Sequence, residues 1–506
     1  MNCTDAYDSL VLHMTETTQL ETVAALLAWD QGTQIPVQGH AYRAAQMGAL
    51  TRVIHKRNTD PKLFAALDAC QELLENPEDD QQSANLRVWS KYLNRARKIP
   101  ERLAVEVARN STESEGVWAM ARQKNDWKSF APYLEKTVKL KKEVAATLDD
   151  SKDPYDVLIE DYEPGESVEE LENIFTDLME TTQRILDAIL GSSVRPDATI
   201  MKREFPQKTQ EKMARQMVQA LGFDFNMGRM DTTVHPFCTS VGPKDIRITT
   251  RYNEHDFAES FFGIVHECGH ALYSQGIPAE RFGTPCGRAV SLGIHESQSR
   301  LWENLVARSK GFWVYAFPQV QKAYPSLSSV DLDAFHFAAN EVKPGLIRTD
   351  ADEVTYNIHI MLRFKLERAL LRGELSVQDL PEAWNTAMQK MLGITPETDA
   401  QGVMQDVHWA SGLLTYFPTY TLGNIYASQF MDAAERELGD LNAMFEKGEF
   451  APLLDWLRTH IHAHGSRYLP RDLVERVTGE KPSAKALCTH LSRKYGELYS
   501  LSLENC

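Results

Sequence analysis

His266, Glu267 and His270 stand together in the five-residue run His-Glu-Cys-Gly-His, and these are residue types that hold and use a catalytic metal ion. On a helix, positions i and i+4 lie on one face a turn apart, so two imidazoles at that spacing can grip one ion. Glu267 would project roughly 100° round from His266, near enough to take a proton from a water on the ion without ligating it, which is a general base's position. Cys268 would fall roughly 200° round, on the far face, and is expected to pack as a small apolar residue. The preceding residues, Glu259 to Val265, are rich in apolar groups and predict a helix buried in a large domain. The blander reading is a pair of core histidines satisfied by backbone carbonyls.

A catalytic zinc site normally has three protein ligands and one open position, so a third ligand must come from elsewhere. Glu280 sits in a loop by composition. Glu296 opens a segment whose Leu301, Trp302 and Leu305 predict a core-packed helix, a more rigid mount. Glu296 is therefore the expected third ligand, with Glu303 on the same helix as its competitor and His295 as a supporting or substrate-contacting neighbour.

These residues need elements to carry them. Periodicity near 3.6 over 80–110, 130–148, 167–191 and 206–220 predicts a mainly α fold. Strand-like composition is rare, and its clearest candidates are Thr232–Ser240 and Asp245–Tyr252, read as a small β-hairpin beside the motif helix. That hairpin is either a cleft edge offering backbone hydrogen bonds to an extended peptide or a sheet capping the core. No repeat, low-complexity tract or linker divides the chain, which reads as one catalytic unit, 1–506, with a mostly helical lobe at 1–230 and the metal site in 231–506. A hydrophobic fraction of 43%, with 25% charged residues, suits a globular enzyme. The net charge of −17 argues against nucleic acid as a partner, and the longest apolar run, Val23–Trp29, is far too short to cross a bilayer. Seven cysteines without a CxxC pair, and no basic-then-apolar leader, predict free thiols and a cytoplasmic protein; Cys506 does not form a prenylation box.

His266, Glu267, His270 and Glu296 at this spacing, with His-Pro-Phe at 235–237, Asp-Ile-Arg-Ile-Thr at 245–249, Ile-Arg-Thr-Asp-Ala-Asp at 347–352 and Gly-Val-Met-Gln-Asp-Val-His-Trp at 402–409, resemble the thermostable carboxypeptidase 1 family, also called carboxypeptidase Taq. The resemblance continues at 27–33, 154–165 and 416–424 and so spans essentially the whole chain. It implies an almost wholly helical fold with a long substrate cleft, a homodimer, and metal-dependent release of single C-terminal residues from peptides, with tolerance for most side chains except proline. The implied cofactor is one Zn²⁺ per chain, though Co²⁺ or Mn²⁺ suits the same ligands.

A carboxypeptidase must capture a free terminal carboxylate, which a guanidinium does bidentately. Arg348 is the first candidate, just before Thr349–Asp352, a stretch resembling a capping box; its alternative is a simple pair with Asp350 or Asp352. Arg247, in the hairpin, is the second candidate or else an ordinary strand residue, and His235 is a further substrate-contacting candidate. His408 and Tyr420 are the candidate donors to the oxyanion, with Tyr416 as a competitor, and Asp406 is expected to orient His408. His359 reads as a structural histidine. The expected reaction is attack by zinc-activated water with Glu267 as general base. Open alternatives are a helical zinc endopeptidase or dipeptidase on the same scaffold, an aminopeptidase, and an interaction protein with a structural metal.

Overall fold

The computed structural model describes residues 2–75 and 79–503, so Cys506 lies outside the described residues. Two compact units share the chain, each assembled from three segments: Met1–Ala96, Asp197–Ala339 and Phe430–Gly479 in the first, and Arg97–Pro196, Asn340–Gln429 and Glu480–Cys506 in the second. Helices dominate both, as the periodicity predicts, and the 80–110 window resolves into Gln81–Lys98 and Glu101–Lys124 because Pro100 cannot continue a helix. No helix among the described residues is long and apolar enough to cross a membrane.

In the first unit the only sheet among the described residues has three strands rather than two. β1 (Gly228–Thr232) runs parallel to β3 (Asp245–Thr250), and β2 (Cys238–Gly242) pairs antiparallel on the other side, giving the order β1-β3-β2. The expected hairpin is β2–β3, with Lys244 at φ 65° in the tight turn. Residues 233–237 of the expected first strand are a connection instead. β1 escapes sequence reading because Gly-Arg-Met-Asp-Thr has no alternation of apolar residues; backbone pairing holds it, and Gly228 lies so close that a Cβ would meet the Ile246 carbonyl at 2.3 Å. Ile246 and Ile248 of β3 are buried beneath the motif helix side of the sheet.

The motif helix, Phe257–Gly276, starts where Asp256 accepts from the amides of Ala258 and Glu259, satisfying two of its orphan donors. Its first turns enter an aromatic core: Phe257 stacks on Phe261 at 5.1 Å, and Trp313 meets Phe261 and Phe335. The next helix, Leu292–Arg300, is capped by Ser291 and continues as a π-helical turn through Val306. The two helices touch at Gly269, inside the motif, where a Cβ would meet the Gln298 carbonyl and Ser299 Cα at 2.6 Å. Backbone contact of that kind is what brings Glu296 to the histidines.

The second unit is organised round the Thr355–Arg372 helix, whose residues 355–364 are all buried. Asp352, rather than Thr349, opens it, accepting from the amides of Val354 and Thr355. Glu353 at its start is buried and takes His490 Nε2 at 2.9 Å, Lys494 Nζ at 2.6 Å and the Tyr495 hydroxyl at 3.0 Å, all from the Lys485–Tyr499 helix. Gly373 in the left-handed region ends the helix.

Candidate active site

Three donor groups converge in the first unit. His266, His270 and Glu296 each offer one ligand atom, and these lie within 4.8 Å of one another. Glu296 Oε2 is 3.6 Å from His266 Nε2 and 3.4 Å from His270 Nε2. Donors about 2.1 Å from a shared tetrahedral centre would stand about 3.4 Å apart, so the spacing fits a metal ion. Proton placement agrees. His266 Nδ1 lies 2.9 Å from Glu303 Oε2 and His270 Nδ1 lies 3.1 Å from the His295 carbonyl, and since both partners only accept, both protons reside on Nδ1. Both Nε2 atoms face the Glu296 oxygen, so the three donors point toward one centre where a shared cation would be held.

Glu303, the competitor for the third ligand position, stands on the far side of the His266 ring. Arg300 ties it to Glu296, donating from Nε to Glu296 Oε1 at 2.8 Å and from Nη1 to Glu303 Oε2 at 2.9 Å, while Ser299 Oγ reaches Glu296 Oε2 at 3.0 Å. Burial would push both carboxyls up, but His266 and Arg300 outweigh it, holding Glu296 well below the usual carboxylate range and Glu303 down to about 2. Both are ionised. Glu267 is 8% exposed, and burial pushes its carboxyl up despite His266 and His270 nearby, toward the range useful to a proton acceptor. Cys268 is fully buried, and burial pushes its thiol up. The His295 ring stacks on His270 at 4.3 Å, and burial keeps it neutral; it also lines a cavity of about 340 Å³ with Cys238, Thr239 and Ser240 of the edge strand β2.

Arg247 is pinned by Asp245 at 2.9 and 2.8 Å and lies over the Trp29 ring at 4.2 Å, so it is neither free nor simply exposed. His235 is exposed on the connection between β1 and β2.

The other expected residues gather in the second unit. Arg348 is buried and pairs with neither Asp350 nor Asp352: its Nε and Nη2 donate to Asp406 Oδ1 at 3.0 and 2.7 Å, and Nη1 donates to the Tyr356 hydroxyl at 3.1 Å. Asp406 does not orient His408 as expected, because its other oxygen takes Arg363 Nε at 2.7 Å. Two guanidiniums on one carboxylate overcome the effect of burial and hold Asp406 far below the usual range. His408 Nε2 instead shares a 3.0 Å hydrogen bond with the Tyr420 hydroxyl. Burial, with Arg348 and Arg363, lowers His408 to about 3, so the ring is neutral at pH 7. Tyr416 packs its ring against His408 at 5.3 Å and Tyr420 at 5.4 Å. His359 is fully buried with Nε2 on the Gly345 carbonyl, the structural role expected of it.

The profile of the carboxypeptidase Taq (M32) metallopeptidases matches residues 9–495. The chain belongs to this family. It is 51% identical over 505 residues to thermostable carboxypeptidase 1 of Thermus thermophilus, covering 98% of this chain and 99% of that one, and 39% identical over 478 residues to carboxypeptidase 1 of Bacillus subtilis, covering 94% and 95%. Among solved structures, the M32 carboxypeptidase of Deinococcus radiodurans R1 superposes with a TM-score of 0.94 at 38% identity, covering 98% of this chain and all of that one. The Pyrococcus furiosus carboxypeptidase also reaches 0.94, at 34% identity, with 97% and 99% covered. Of the activities the motif left open, family membership selects a metallocarboxypeptidase acting on peptides.

In this M32 enzyme the residues that sequence reasoning missed are supports. Arg300 and Arg363 each hold a carboxylate that a named candidate depends on, and Glu367 holds the Trp409 indole at 2.7 Å. The available signal was the spacing of Arg300 four residues after Glu296, but i,i+4 pairs of that kind are common on exposed helix faces.

Proposed function

We propose that this metallocarboxypeptidase releases single C-terminal residues by water attack with Glu267 as general base, and that His266, His270 and Glu296 hold one Zn²⁺, or Co²⁺ or Mn²⁺ in its place. The observation that carries the reading is the convergence of two Nε2 atoms and one carboxylate oxygen, with a buried, raised carboxyl beside them. Such an ion supplies Lewis acidity that polarises the scissile carbonyl and makes water acidic at neutral pH. Glu267 accepts the water's proton and returns it to the departing amine. Glu303 and the His295 carbonyl keep both imidazoles in the ligating tautomer, and Arg300 keeps Glu296 ionised.

Arg348 is proposed to bind the substrate's terminal carboxylate, supported by the surplus of positive charge that two guanidiniums on Asp406 leave behind, with Arg247 and His235 as lesser contacts. His408 and Tyr420 are proposed to donate to the oxyanion, as neutral, hydrogen-bonded side chains can. The edge strand β2, beside the cavity that His295 lines, suits backbone pairing with upstream substrate residues. The same reading takes the enzyme to be a cytoplasmic homodimer. Light scattering at twice the chain mass and cell fractionation check those two points.

Glu267→Gln should bind metal near one per chain and lose about 10³-fold in kcat. Metal content is measured by elemental analysis and turnover by mass spectrometry of a peptide ladder, with a C-terminally amidated peptide as the control that should resist cleavage. Wild-type turnover in the variant refutes the base, and cleavage of the amidated peptide refutes the exopeptidase step.

A further inference from the structure

Resting on the reading of His408 and Tyr420 as the oxyanion donors, we propose that Glu367 positions that pair by clamping the turn that joins them. The Thr355–Arg372 helix carries His359, Arg363 and Glu367 at four-residue intervals, so they form one ridge, and all three are fully buried. Arg363 grips Asp406, two residues before His408. Glu367 grips the chain on the other side of His408, taking Trp409 Nε1 on Oε1 at 2.7 Å and the Thr415 amide on Oε2 at 3.2 Å, with the Tyr155 hydroxyl as a third donor at 3.2 Å. Chain entering and leaving His408 is thus fastened to a single helix.

The turn would not hold this shape by its own preference. Thr415 sits at φ 69°, an unfavourable region for a β-branched residue, and its hydroxyl is buried without a partner, so the amide bond to Glu367 is what keeps it there. Gly412 at φ 75° and the Leu413 amide on the His408 carbonyl at 2.8 Å close the rest. Five residues after Thr415 comes Tyr420, so the clamp fixes the distance across which the two donors meet. The two Glu367 oxygens between them accept from all three donors, Oε2 from two of them. A glutamine amide must turn its NH₂ toward either Trp409 or Thr415, and one bond is lost.

The test is the crystal structure of metal-loaded Glu367→Gln, with its steady-state kinetics beside those of Tyr420→Phe. The expected result is a His408 Nε2 to Tyr420 Oη separation beyond hydrogen-bond reach, kcat lowered about tenfold or more, KM within about twofold and unchanged metal content. Trp409→Phe, which removes one donor and leaves Glu367 in place, should move the pair in the same way by less, and it substitutes if the first variant does not fold. A pair still hydrogen-bonded in both variants overturns the proposal. A parted pair with undiminished kcat, together with full turnover in Tyr420→Phe, sustains the clamp and removes the oxyanion reading instead.

Discussion

An imidazole that ligates through Nε2 must have its Nδ1 proton held by something else, and at His266 that partner is Glu303. Replacing it with an amide weakens the acceptor and removes the charge that Arg300 Nη1 faces, so Glu303→Gln should lower metal affinity about 10- to 100-fold while leaving the helix intact. Competition against a chromogenic chelator measures this; unchanged affinity would reduce Glu303 to packing. At this scale the sequence was readable where chemistry forces spacing. Two histidines one turn apart have few other uses, and Glu296 stands out as a carboxylate on a core-facing helix. Partnerships across the fold were not readable. Nothing in Ile-Arg-Thr-Asp-Ala-Asp says that Arg348 passes over two neighbouring aspartates for Asp406, 58 residues on.

Elements depend on ties that can be titrated. Burial would raise Glu353, but Lys494 and His490 outweigh it and hold the carboxyl far below its ordinary value. A group whose folded pKa is depressed adds stability above its unfolded pKa, about 4.3, and that stability is lost progressively as pH falls below it. Glu353→Gln, which removes the charge that Lys494 and His490 face, should cost about 3 kcal/mol at pH 7 and progressively less as pH falls below about 4.3. Urea unfolding across that range checks it, and a cost independent of pH would count against the ion pair. Helices were legible from periodicity, and Pro100 marks the break that the periodicity alone ran through. β1 was not legible because backbone pairing makes it a strand. The π-helical turn after Arg300 also left no mark, since an extra residue in a turn changes no composition.

At the scale of the whole molecule, every proposed metal donor lies within 231–506, yet the unit that contains them also includes residues 1–96 and 197–230. A 231–506 fragment should therefore lack helical cooperativity and bind no metal with useful affinity, which circular dichroism and equilibrium dialysis would show; a folded, metal-binding fragment would refute this. The interleaving was invisible in the sequence because the crossings carry no shift in composition and no linker-like run. Family resemblance supplied the activity, which neither periodicity nor net charge contains.

Arg348 and Arg363 share a single carboxylate, and neither guanidinium can shed its proton. Their environment is aromatic: Phe417 lies 5.6 and 5.3 Å from the two guanidinium carbons. An uncompensated cation in so dry a place attracts small mobile counterions, and these would vie with peptides for it. Chloride or phosphate at rising concentration, with ionic strength balanced by a bulky organic salt, should increase KM and leave kcat alone; loss of that sensitivity in Arg348→Lys would locate the contest, whereas insensitivity in the wild type would mean that the charge never meets solvent ions.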